Sequence, residues 1–136
     1  MERTEIEARI IRAFVVADRK EKYLEALPNS KRRLKVLDRL NHHIDDIDSR
    51  YRVSVPPEQH TPSAIEKLLR TRGAPSLCYV MSSSTRLDGR EMSLADALKE
   101  VIGYQMGTLI SCIPGQLAFY ESEEIKTRYI LERKAG

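Results

Sequence analysis

Five cations crowd one short stretch of this chain: Lys31, Arg32, Arg33, Lys35 and Arg39. Leu34, Leu37, Leu40, Ile44 and Ile47 share the stretch at helical spacing, so a helix over residues 30–46 is expected to turn them inward. That leaves Lys31, Arg32, Lys35 and Arg39 outward on one side. Cations at a helix start oppose the macrodipole, each forgoing up to about 1 kcal/mol. Their placement does not serve the helix, and it suits contact with an anion, either a phosphate backbone or an acidic partner. A solvated charged face is the commoner origin of such clusters. Glu21, Glu25 and Asp38 are near enough to neutralise part of it. No aromatic residues interleave with the cations as they do in single-strand binders.

His42, His43, Asp45, Asp46 and Asp48 follow. His42 and Asp46 stand one helical turn apart and are proper ligand types for zinc, with Asp48 as a third donor. Adjacent histidines point about 100° apart on a helix, and no ligand motif of defined spacing is present. The stretch therefore reads as a helix C-terminus followed by turn-forming aspartates, and no metal is expected. Cys78 and Cys112 fall in apolar, strand-like runs. They read as buried thiols of a reduced protein, with a bridge between adjacent strands as the alternative. A nucleophilic cysteine needs a neighbouring histidine, cation or helix N-terminus, and no local protease signature surrounds either one. Ser82, Ser83, Ser84 and Asp88 make a polar loop that could set hydroxyls and a carboxylate around a ligand. Neither a G-x-S-x-G elbow nor a phosphate-binding loop accompanies them.

The elements that must position these residues begin with a helix over residues 4–27. Ile6, Ile10, Ala13, Ala17, Leu24 and Leu27 form one apolar stripe, while Ile11 and Val15 lie on the opposite side. A helix that hides two faces is either sandwiched or pressed against a partner chain. Pro28 ends it, Asn29 or Ser30 caps the next helix, and the short connection implies an αα-hairpin. Tyr51–Val55 alternates like a short edge strand before Pro56-Pro57. Thr61-Pro62 opens a third helix that stops at Gly73. Leu77–Met81 reads as a strand, Ser93 caps a helix over Leu94–Ile102 with Asp96 three residues on, and Gly103 and Gly107 bracket its exit. Thr108–Ile113 and Gln116–Tyr120 meet at Pro114-Gly115, a turn by chemistry. An acidic loop over Glu121–Lys126 leads to a last strand, Arg128–Leu131. Alternation puts Ile110 and Cys112 on one face of the hairpin and Leu109, Ser111 and Ile113 on the other. Both faces are apolar and need cover, one from the chain's own helices and the other from a partner.

The chain has 136 residues, 41% of them hydrophobic and 32% charged, with a net charge of +3. That length and apolar content suit one core in one domain. The charge excess is mild, and the start MERTEIEARI lacks the apolar centre of a secretory signal. The expected fold is α+β: an N-terminal αα-hairpin plus a third helix packed on a small, mostly antiparallel sheet of about four strands, with one crossover helix. A single domain over residues 1–136 is expected, helical over 1–73 and β-α-β-β-β over 76–133. The function that fits is a small cytoplasmic, non-catalytic interaction or regulatory module. Its partner would be a protein, or a second copy meeting it at Ile11 and Val15. The alternatives are nucleic-acid or acidic-partner binding through Lys31, Arg32, Lys35 and Arg39, and a ligand site or enzyme at Ser82, Ser83, Ser84 and Asp88. No cofactor, metal or membrane partner is implied.

Overall fold

The computed structural model describes residues 1–124 and 128–134. Three helices open the chain, α1 (Arg3–Phe14), α2 (Ala17–Ala26) and α3 (Ser30–His42). After two short 3-10 turns comes β1 (Arg52–Ser54), then α4 (Pro62–Thr71), β2 (Leu77–Ser82), β3 (Glu91–Ser93) and α5 (Leu94–Val101). The strands β4 (Thr108–Ile113), β5 (Leu117–Glu121) and β6 (Arg128–Glu132) complete it. The six strands form one sheet in the order β1-β6-β5-β4-β2-β3, and every neighbouring pair is antiparallel. The architecture is α+β, with N-terminal helices followed by the sheet and its interspersed helices. Residues 125 and 126 of the expected acidic loop lie outside the described residues.

Helices cover both faces of the sheet. On one face α1, α2 and α3 bury Ile10, Ile11, Phe14, Tyr23 and Leu37 against Tyr79, Met81, Leu109 and Tyr120. On the other α4 and α5 bury Ile65, Leu69, Leu94 and Leu98 against Val80, Ile110, Leu117 and Phe119. Each large side chain taken out of water contributes about 1.5–3 kcal/mol. The second cover expected from a partner is supplied by α4 and α5.

Four local expectations need correction. The helix over 4–27 is two helices, because Val15 and Val16 adopt extended backbone. Both are β-branched, which lowers helix propensity, and the 46–48 segment captures the break: Val16 N–H donates to Asp46 O at 2.9 Å and Asp48 N–H to Phe14 O at 2.7 Å. Ile11 and Val15 are 0% and 1% exposed within the single chain, so no partner surface exists at these two residues. The inward stripe of α3 is Val36, Leu37 and Leu40, leaving Leu34 51% exposed. Finally, β4 carries a bulge against β5, with Ser111 facing Ala118 and Ile113 facing Leu117. The extra residue, Cys112, breaks the two-residue alternation, so Ile113 packs on the same face as Ile110 and Cys112. The sheet has six strands where about four were expected, with β1 at one edge and at the other β3, hidden because three residues are too short to show a period.

One glycine is required by packing. A Cβ on Gly107 would stand 2.5 Å from the Asn41 backbone nitrogen, where the end of α3 meets the start of β4. The Gly107 N–H donates to Asn41 Oδ1 at 2.6 Å, and the Tyr120 hydroxyl donates to Leu40 O beside it.

Candidate functional site

The connection Leu27-Pro28-Asn29 turns α3 back along α2. Pro28 cannot extend α2, and Asn29 Oδ1 caps α3 by accepting from Lys31 N–H at 3.0 Å and Arg32 N–H at 3.2 Å. A groove of about 390 Å³ runs between the two helices. Ala26 and Val36, nearly buried, form its apolar floor, and Lys22, Arg32, Lys35 and Arg39 its walls. Glu25 is the one carboxylate that lines it. Arg32, Lys35 and Arg39 follow at i, i+3 and i+7, so they form a row along one helix side.

The row is not uniform. Arg39 holds Asp46 through two bonds, Nε to Oδ2 at 2.9 Å and Nη2 to Oδ1 at 3.0 Å. Tyr23 OH donates to the same carboxylate at 2.7 Å, and Arg19 stands 3.9 Å away. Burial opposes ionisation of Asp46, but the bonds from Arg39 and Tyr23 outweigh it and hold the carboxyl below its usual range. Burial first, then the bond to Asp46, pushes the Tyr23 hydroxyl well above the ordinary range. This buried cluster fastens one end of the groove. Lys22, Arg32 and Lys35 have no carboxylate in ion-pair reach among the described residues; Arg32 reaches only the Glu25 backbone oxygen at 3.5 Å. Three uncommitted cations therefore stand over an apolar floor. Lys31, the remaining expected member of the row, is exposed but outside the groove lining.

Arg33, the fifth cation of the cluster, points inward. Its Nε and Nη2 donate to Asp88 at 2.7 and 2.9 Å, and its Nη1 donates to Glu7 Oε1 at 2.7 Å and to Leu27 O at 3.1 Å. Its Nη2 also reaches Glu7 Oε2, and the Tyr79 hydroxyl donates to that same oxygen. The bonds from Glu7, followed by those from Asp88, push the guanidinium pKa up despite burial. Sequence reading missed this role. The available signal was position: Arg33 stands four and seven residues before Leu37 and Leu40, on the inward face, where an arginine needs buried carboxylates.

The polar loop is built on the same network. Ser82 N–H donates to Asp88 Oδ1 at 3.1 Å, Ser82 Oγ bonds Thr108 Oγ1 at 2.7 Å, and Ser84 N–H donates to Ser82 Oγ at 3.0 Å. The structure thus commits Asp88 and Ser82 to holding the loop; Ser83 Oγ is buried with no partner among the described residues. His42 pairs with Glu123 at 2.5 Å and Asp38 at 3.6 Å, while Asp46 belongs to Arg39, so the structure does not bring them together as ligands. No cluster of three ligand-type side chains occurs among the described residues. A second basic cleft, about 350 Å³, lies where Arg9 and Arg12 of α1 meet Pro114-Gly115, Arg133 and Lys134. There Arg9 is tied to Glu5 at 3.0 Å, and Arg133 donates to Ala13 O at 3.1 Å while its guanidinium stands 4.6 Å from the Tyr51 ring centroid.

The fold and groove define an α+β protein with a six-stranded antiparallel sheet, helices on both faces and a cationic seam in one helical layer. No helix among the described residues is long and apolar enough to cross a membrane. Comparison with protein-family models, curated proteins and solved structures gave no match, so function has to be argued from this chain's own residues.

Proposed function

We propose that this protein is a binding module that takes an acidic, amphipathic segment of a partner protein into the α2–α3 groove. The observation that carries the reading is the combination of three uncommitted cations, Lys22, Arg32 and Lys35, with the apolar floor of Ala26 and Val36. A partner helix with carboxylates flanking small aliphatic residues satisfies both halves of that surface, which is the helix-in-groove mode of recognition. A phosphate backbone would satisfy only the cations. Aromatic side chains, on which bases stack, are absent from the groove lining.

The charge distribution supports the same choice. Residues 1–52 carry thirteen Lys and Arg against ten Asp and Glu, whereas residues 53–136 carry ten of each. The whole net charge of +3 therefore belongs to the segment that forms the groove. Such asymmetry favours encounter with an acidic surface and makes association salt-dependent.

The test is fluorescence anisotropy with a labelled helical peptide that repeats Glu and Leu at i, i+3 and i+4 spacing, beside a version with every Glu replaced by Gln. The Glu peptide should bind and the Gln peptide should bind at least tenfold more weakly. Replacing Lys22, Arg32 and Lys35 together by Glu removes three partly exposed charge contacts, each about 0.5–1 kcal/mol. The combined loss corresponds to roughly a 10- to 150-fold weaker complex. Equal affinity for the two peptides, or for the wild type and the triple variant, would overturn the proposal. So would tighter, groove-dependent binding of a single-stranded oligonucleotide.

A further inference from the structure

Cys78 and Cys112 are the only cysteines of the chain, and both are free and buried. The β2–β4 register pairs Tyr79 with Ser111 and Val80 with Ile110. The paired residues end at Tyr79 and Ser111, and extending their register one step beyond that end sets Cys78 against Cys112. The backbone shows which kind of pair this is. Val80 donates its N–H to Arg90 O at 2.9 Å and accepts from Gly89 N–H at 2.8 Å. Even-numbered residues of β2 therefore aim their backbone groups at β3, and those of Cys78 point away from β4. Across an antiparallel pair without its own hydrogen bonds the Cα atoms approach to about 4.5 Å. That spacing lies within the range a disulfide spans. The bulge that makes Cys112 the extra residue lies between β4 and β5, and the β2–β4 pairing is in register up to Ser111 beside it. Both cysteines belong to the same sheet face, beside Leu117 and Phe119.

The pair also borders a cavity. It stands at the end of β2 and β4, where both residues line a pocket of about 160 Å³ together with Leu77, Glu91, Ser111 and Pro114. Ser111 Oγ is buried with no hydrogen-bond partner among the described residues, and Cys78 Sγ donates to Met92 O at 3.4 Å. We propose that Cys78 and Cys112 form a redox modification site, at which a small organic disulfide converts the two thiols to an intramolecular bridge between β2 and β4. One cysteine thiolate attacks a sulfur of the reagent, forming a mixed disulfide and expelling one small thiolate. The other cysteine then attacks the protein sulfur of that mixed disulfide and expels the second. The protein gives up two electrons and two protons, and the reagent leaves as two thiols. Burial pushes both thiols up to about 12, so few are ionised at neutral pH and the exchange is slow there. The bridge would close a loop around β3 and α5, tying that excursion to the sheet.

The experiment treats the native protein with hydroxyethyl disulfide, stops exchange with acid, counts free thiols and records intact mass and a non-reducing peptide map. The expected result is joint loss of both thiols, a mass decrease of two hydrogens and a Cys78–Cys112 linkage. The rate should rise about tenfold per pH unit below the thiol pKa. The melting midpoint should rise and return on adding reductant. Cys78→Ser and Cys112→Ser should each lack the bridged species and the midpoint shift. Thiols that stay free in the native protein yet react in denaturant would overturn the proposal. A bridge found only between two chains, or a midpoint shift that survives in either single variant, would also overturn it.

Discussion

Arg33 is the residue whose loss should damage the fold most for its size. It joins α3 to Glu7 of α1 and to Asp88 of the β2–β3 loop, and the Glu7 side chain is only 6% exposed. Arg33→Met keeps a long apolar stem and deletes every one of those bonds. Two carboxylates are then left facing each other in a nearly dry site, with Tyr79 OH and Ser82 N–H as their remaining partners. Breaking a buried ion pair from one side typically costs about 3–5 kcal/mol. Taking roughly 3–5 °C per kcal/mol for a chain of this size, the melting midpoint should fall by about 9–25 °C. Urea unfolding followed by circular dichroism measures the free energy, with an unchanged slope showing that the denatured state is unaltered. Adding Glu7→Gln to Arg33→Met should cost less than the sum of the two single changes, because it removes a charge already orphaned. A loss below about 1 kcal/mol for Arg33→Met, or strict additivity in that cycle, would refute the reasoning.

Two further outcomes follow from the same structure. Gly107→Ala places a methyl group 2.5 Å from the Asn41 backbone nitrogen, so α3 and β4 must separate; urea titration should show a loss of about 1–3 kcal/mol, and a change within experimental error would contradict the packing. Asp46 titrates below its ordinary value in the folded protein. Its contribution to stability is therefore fully present above the unfolded carboxylate pKa and is lost as pH falls through the lower folded one. Asp46→Asn should flatten the stability profile in that acid window, and an unchanged profile would show that the clamp by Arg39 and Tyr23 does not carry it.

Much of the fold was legible in the chain. The caps at Thr61 and Ser93 and the stop at Gly73 could be read directly, and the α3 cap was narrowed to Asn29 or Ser30, because each depends on a side chain or a backbone freedom local to its position. The Pro114-Gly115 hairpin was legible for the same reason. Features decided at long range were not. The break at Val15-Val16 depends on backbone partners some thirty residues away. Arg33 fell outside the outward row, but its partners were not legible, because Glu7 and Asp88 come from two other elements. The groove was half legible: spacing put Arg32, Lys35 and Arg39 on one side of a helix, but Lys22 and Ala26 joined them only when α2 folded back along α3. Conversely, the two apolar faces that suggested a partner were real and were filled from within the chain, one by α1, α2 and α3 and the other by α4 and α5.

The central claim, that the α2–α3 groove is the binding surface, is tested most directly by mapping amide shifts of the isotopically labelled protein during titration with the Glu-and-Leu peptide. The largest changes should fall on Lys22, Ala26, Arg32, Lys35 and Val36, which line the groove, and should vanish in the Lys22→Glu, Arg32→Glu, Lys35→Glu variant. Largest changes at Arg9, Arg12 and Arg133, around the second basic cleft, or no saturable change at all, would contradict it.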